Sequence, residues 1–171
     1  MPEFYNLRVI EEKNCRLELL ECEIKNERLV LLQLHGGGYI GGMRNAYRSF
    51  AGLYSELGRG MSVLTVDYRV APEHPYPAAL EDAITGYNWL LQAGWQEHEI
   101  VVAGDSAGGG LALALCMYLK NQNRKLPAGL ICMSPWTDLT QSGASYDLTM
   151  NGIHCLEHPG QLDLQQGLHS G

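Results

Sequence analysis

An α/β domain, built on a mostly parallel sheet with helices on both faces, is predicted by three features of the sequence. Four apolar runs of strand length, at 29–34, 61–66, 100–103 and 128–133, have the near-continuous pattern of strands buried on both faces. Segments with apolar residues at helical spacing separate them, and such alternation implies right-handed crossovers and a parallel sheet. Two glycine-rich turns, 35–42 and 104–110, follow the first and third of these runs. Both therefore leave the sheet at the carboxyl ends of its strands, where α/β folds build their sites.

The chain opens with two short strands, at 7–11 and 16–24, joined through a Lys13-Asn14 turn. In the second, Leu17, Leu19, Cys22 and Ile24 alternate loosely with Glu18, Glu21 and Glu23, which predicts one wet face. The run at 29–34 is the first fully buried strand, and it ends in His35-Gly36-Gly37-Gly38-Tyr39. From Asn45 the period changes: Tyr47, Phe50, Ala51, Tyr54 and Leu57 mark one helix face, with Asn45 as the cap and Gly58 or Gly60 as the stop. After the strand at 61–66, the loop 67–77 is punctuated by Pro72, Pro75 and Pro77 and excludes regular structure. A second helix buries Leu80, Ala83, Ile84, Tyr87 and Leu91. The strand at 100–103, a helix to about Asn121 and the strand at 128–133 complete the pattern, which predicts about six or seven strands in an open sheet.

Between the strand at 100–103 and its helix stands Gly104-Asp105-Ser106-Ala107-Gly108. This is the G-x-S-x-G turn that lifts a serine hydroxyl clear of a sheet. A serine is a weak nucleophile, so it must be exposed to both base and substrate, and small residues two before and two after allow the sharp turn. The following helix aims its amide end at the place where negative charge develops in acyl transfer.

Composition narrows the remaining choices. The 171 residues suffice for one domain with a proper core, and 46% hydrophobic content excludes a disordered chain. A net charge of −7 without a basic stripe excludes a nucleic-acid partner. The longest apolar run, 111–119, falls well short of the about 20 residues that span a bilayer, so no membrane association is expected. The first ten residues carry no signal segment, and the five cysteines (15, 22, 116, 132, 155) form no C-x-x-C pair. A cytoplasmic, reduced protein is expected, with Cys116 and Cys132 as core thiols.

The HGGG run at 35–38 preceding a GDSAGG elbow at 104–109 resembles the hormone-sensitive-lipase-like group of α/β-hydrolases, the bacterial carboxylesterases. The likeness extends to D-Y-R-V-A-P-E-H-P-Y-P-A-A at 67–79 and S-P-W-T-D-L at 134–139, and is dense from about residue 30 to 146. The resemblance implies hydrolysis of small short-acyl carboxylic esters through a Ser106 acyl-enzyme. It implies an oxyanion hole made by the backbone amides of Gly37, Gly38 and Ala107. It implies no cofactor and no metal.

In that fold the acid and the histidine follow the serine in chain order. By resemblance they belong after two further strands, so the C-terminal strands are expected to be missing. The expected division is a partial hydrolase domain at 1–147 and an unrecognised tail at 148–171, of the kind a frameshift would produce. An alternative triad would pair His154 with Asp138 or Asp147, with His158 and His169 as weaker bases. Asp138 reads more simply as part of its turn. His154-Cys155-Leu156-Glu157-His158 also spells an inverted zinc motif, but Pro159 stops any helix that would present both histidines, so no metal is expected.

A non-catalytic hydrolase scaffold is the rival reading, with self-association through an exposed sheet edge as its signature. The remaining candidates read as structural. His35 holds its loop, Asp105 stabilises the elbow, and Asp67, Arg69, Glu73 and Asp82 form an ion-pair set. Arg44 and Arg48 are solvated charges at the helix entry. Tyr39 packs or lines an acyl pocket, and Trp89 and Trp95 pack a helix and loop.

Overall fold

The computed structural model describes residues 5–23, 28–140 and 142. Two compact units divide the chain, Met1–Trp136 and Thr137–Gly171. The first holds the elements β1 (Tyr5–Glu11), β2 (Arg16–Cys22), β3 (Val30–Leu34), α1 (Asn45–Leu57), β4 (Ser62–Asp67), α2 (Ala78–Gln92), β5 (Ile100–Asp105), α3 (Ala107–Asn121) and β6 (Gly129–Met133).

All five residues of β3 are buried, as an uninterrupted apolar strand requires. It lies in the middle of a six-stranded sheet of order β1-β2-β4-β3-β5-β6. From β4 through β6 the pairings are parallel, with Leu32 opposite Leu64 on one side and Val102 on the other. The hairpin β1–β2 adds an antiparallel margin, with β2 against β4. Helices cover both faces, as predicted. Leu17, Leu32, Leu64 and Val102 point to the side packed by Tyr87 and Leu90 of α2 and Leu115 and Leu119 of α3. Leu20, Leu31, Val63 and Ala103 point to the other, against Ala51 of α1.

Several expectations are corrected. Strand β2 has no wet face: Glu18 is 1% exposed beside Leu17, Leu19 and Leu20. Its carboxylate is neutralised by Arg48, whose Nε and Nη2 donate at 2.7 and 2.6 Å, and by Arg16 at 3.1 Å. Arg48 is therefore half of a helix-to-sheet ion pair and not a solvated charge. Helix α1 turns Tyr47, Ala51 and Ser55 inward and leaves Phe50 and Leu57 at 47% and 73% exposure. Its N-cap is Arg44, while Asn45 is its first residue and accepts from Arg48. The buried thiols are Cys15 and Cys22, whereas Cys116 and Cys132 are half-buried; all four are free.

The proline loop is anchored by Arg69, whose guanidinium and backbone N–H both bond the buried Asp82. Glu81 rather than Glu73 supplies the second carboxylate, at 3.0 Å. Trp89 and Trp95 pack together as expected, their ring centroids 6.5 Å apart.

Candidate active site

Ser106 sits between β5 and α3 at φ 50°, ψ −120°, and is exposed although Gly104 behind it and Ala107–Gly109 after it are buried. A non-glycine residue in this region costs on the order of 1–3 kcal/mol, and it persists only where surrounding bonds impose it. Here they do. The Ser106 N–H donates to Met133 O at 2.9 Å, and its carbonyl accepts from Trp136 and Gly110 at 2.8 and 3.1 Å. The flanking glycines are required by contact: a Cβ on Gly104 would meet the Gly108 carbonyl, and one on Gly108 would meet the Leu34 and His35 carbonyls. The turn therefore packs backbone to backbone against the end of β3.

The loop leaving β3 turns tightly. Gly37 and Gly38 take φ of 132° and 64°, and the Gly37 carbonyl accepts from Ile40 and Gly41. Among the described residues, the amides of Gly37, Gly38 and Ala107 donate to no protein acceptor. The loop is held to the elbow at Gly36, whose N–H donates to Tyr47 Oη at 2.7 Å and to Asp105 Oδ1 at 3.0 Å; Tyr47 in turn donates to Asp105 Oδ2 at 3.0 Å. Ser106, Gly37, Gly38 and Ala107 thus lie on two turns joined at this end of the sheet.

His35 is fully buried. Its Nδ1 donates to Gly36 O at 2.8 Å and its ring stacks on Tyr68 at 4.0 Å. Burial pushes its pKa below the usual histidine value. It holds the loop, as its place in the sequence suggests. None of the described histidines, His35, His74 and His98, hydrogen-bonds Ser106. The candidate bases His154, His158 and His169 and the candidate acid Asp147 lie outside the described residues.

Asp138 is described, and its carboxylate is engaged within its own turn. It accepts from the hydroxyl and N–H of Thr140 and of Ser142, at 2.6 to 3.0 Å. The Thr140 hydroxyl first, then that of Ser142, holds its pKa down to about 2. This matches the structural reading of its turn. A cleft of about 490 Å³ opens between the β1–β2 hairpin and the loop after β4, near Glu12, Cys15, Asp67 and Glu73, and does not include Ser106. No group of metal-ligating side chains occurs among the described residues, nor does any helix long and apolar enough to cross a membrane.

Tyr47 is the residue that sequence reasoning missed here. Its helical spacing marked it as core, and its ring is buried. Its hydroxyl, however, reaches an aspartate 58 positions away, which no local signal reveals.

Comparison with known proteins agrees with the fold. Residues 31–161 match a family model described as alpha/beta hydrolase fold. An acetyl-hydrolase of Streptomyces hygroscopicus is 43% identical over 116 residues, covering 68% of this chain and 38% of that protein. An esterase of Acinetobacter venetianus is 38% identical over 141 residues, covering 81% of this chain and 45% of the other. The crystal structure of an esterase from the bacterial hormone-sensitive lipase family superposes with a TM-score of 0.76 at 36% identity, over 88% of this chain and 51% of that one. The chain thus spans about half the length of the relatives it matches, or less.

Proposed function

The chain belongs to the alpha/beta hydrolase family, and from that premise we propose that it carries the nucleophile and oxyanion site of a carboxylic ester hydrolase acting on small short-acyl esters. In this reading Ser106 Oγ attacks the ester carbonyl carbon while a histidine takes the hydroxyl proton. The carbonyl oxygen becomes an oxyanion held by the amides of Gly37, Gly38 and Ala107. Collapse expels the alcohol, which takes the proton back from the histidine, and water then hydrolyses the acyl-serine. Removal of a single oxyanion-hole donor, a side-chain amide in the measured case, costs about 10²–10³ in rate.

The observation that carries the proposal is the strained, exposed Ser106 on a turn packed against the end of β3, together with the amides of Gly37, Gly38 and Ala107, which donate to no acceptor among the described residues. A pure packing turn has no need to hold a serine at φ 50° when glycine would sit there without strain. No metal or organic cofactor enters the reaction, because the oxyanion is held by amides and the proton by a base.

Hydrolysis of p-nitrophenyl acetate and butyrate by the wild-type chain, Ser106→Ala and His154→Ala tests the reading. Turnover abolished by Ser106→Ala supports it, and parallel loss in His154→Ala assigns the base to the C-terminal segment. Retention of activity in His154→Ala directs the search to His158 and His169. No turnover above the Ser106→Ala background sinks it. That outcome favours a second reading, a non-catalytic scaffold that works through association, which one observation supports: Leu130, Ile131 and Met133 of the edge strand β6 are 37–43% exposed.

A further inference from the structure

The bond network at Gly36 does more than stabilise the elbow. Three elements meet there: the loop after β3 through the Gly36 N–H, α1 through Tyr47 Oη, and β5 through Asp105. Asp105 immediately precedes Ser106, and Gly36 immediately precedes Gly37. The network therefore fixes the separation between the nucleophile and two of the amides assigned to the oxyanion hole. No other side chain in the described residues hydrogen-bonds the 36–38 backbone except His35, which bonds its own neighbour.

The geometry leaves little slack. A Cβ on Gly36 would lie within 3.0 Å of Tyr47 Oη and overlap the Asp105 carboxylate, so glycine is what lets both acceptors converge on one N–H. Tyr47 is locked in place by its neighbours, tilted against His35 at 5.5 Å and edge-on to Phe50 at 5.8 Å. Burial, foremost, pushes its pKa upward, so it remains a protonated donor toward Asp105 at neutral pH. Asp105, as a carboxylate, accepts from both partners with separate oxygens.

We propose that Asp105 and Tyr47 are positioning residues for ester hydrolysis, acting through Gly36 to hold the Gly37 and Gly38 amides at the distance from Ser106 that the oxyanion requires. This inference rests on the assignment of Ser106 and the 36–38 loop as the reacting site. Preorganised donors are worth most when nothing must reorient as charge develops, and a misplacement of about 1 Å can cost about 10²-fold in rate. Tyr47→Phe keeps the ring packing and the Asp105–Gly36 bond, so a loss of about tenfold is expected; Asp105→Ala removes both acceptor oxygens and is expected to lose about 10²-fold. In Asp105→Asn the amide oxygen still accepts from Gly36 and the amide nitrogen donates to Tyr47, which reverses one bond without breaking the network. That variant is expected to recover most of the loss.

The test compares wild type, Tyr47→Phe, Asp105→Ala and Asp105→Asn in three readouts. These are kcat and KM on p-nitrophenyl butyrate, Kd for phenylboronic acid as a tetrahedral serine adduct, and amide hydrogen exchange at Gly36, the bonded amide of the loop. Positioning predicts a fall in kcat with KM unchanged, a rise in boronate Kd by the same factor, and faster exchange at Gly36 while Tm holds. Equal boronate affinity and unchanged loop exchange in all variants would overturn the proposal. So would losses that simply follow Tm. If the wild type neither turns over ester nor binds boronate, the esterase assignment itself has failed, and with it the catalytic role of the network. If the wild type binds boronate but does not turn over, boronate affinity and exchange still decide the positioning role.

Discussion

Ser106 gives the sharpest expectation at the level of single residues. Its φ of 50° is strain imposed by the bonds to Met133, Trp136 and Gly110. Replacing it with glycine releases that strain, partly offset by the greater backbone entropy of glycine in the unfolded chain. Ser106→Gly is expected to raise stability by about 1 kcal/mol, read as a higher denaturation midpoint, while Ser106→Ala leaves it near wild type. A glycine variant less stable than the alanine one would mean that the turn is not strained. His35 supplies a pH expectation. Burial lowers its pKa below 6.5, so the folded state favours the neutral ring. The unfolded chain then binds more protons once pH falls to about 6.5, and stability present above that value is lost below it. Denaturation midpoints measured against pH should fall on the acid side from about 6.5, and His35→Gln should flatten that limb. The sharp turn at Ser106 was legible because it encodes its own geometry in five adjacent residues. The Asp105–Tyr47–Gly36 network was not, because its members are brought together only by the fold.

Among the elements, β2 and α1 depart furthest from what periodicity suggested. A glutamate in a strand reads as a solvated face, yet Glu18 is buried because Arg48 of α1 lies over it with two bonds. A helix charge thirty positions away is invisible to a pattern of period two. In α1, Tyr47 and Ala51 face inward while Phe50 and Leu57 stand outward. Removing one partner from a buried pair leaves an uncompensated charge. Arg16 remains beside Glu18 and Arg48 is itself a third exposed, so the cost is moderated. Arg48→Ala is expected to destabilise by about 1–3 kcal/mol in urea denaturation, and Arg48→Lys by more than half as much because lysine lacks the planar fork. Near-neutrality of Arg48→Ala would mean that Arg16 alone compensates Glu18. The strands β3, β4 and β5, by contrast, were legible almost to the residue. Buried on both faces, they are mostly apolar, and the buried Gln33 and Thr65 bond each other at 3.0 Å across the β3–β4 pair, so their composition reports their environment.

On the scale of the whole sheet, the two outer strands differ in a way that bears on association. Strand β1 carries Arg8 and Glu11 along its length, and charges on an edge discourage further pairing. Strand β6, Gly-Leu-Ile-Cys-Met, carries none, and among the described residues it pairs only with β5. Met117 of α3 and Leu126 before β6 are also exposed, at 64% and 48%. An uncharged, partly exposed apolar edge is a template for another strand. The protein is therefore expected to self-associate with rising concentration in sedimentation velocity. A charge placed on that strand discriminates this from association through any other patch. Ile131→Lys should shift the sedimentation profile toward monomer, and it should leave Tm within a few degrees because Ile131 is 43% exposed in the folded chain. Arg8→Ala at the opposite edge should leave the profile unchanged. Association that persists in Ile131→Lys and weakens in a Phe50→Ser, Leu57→Ser variant would place the contact on α1 instead, where those side chains stand outward. A monomer at every concentration would remove the support that β6 lends to the scaffold reading.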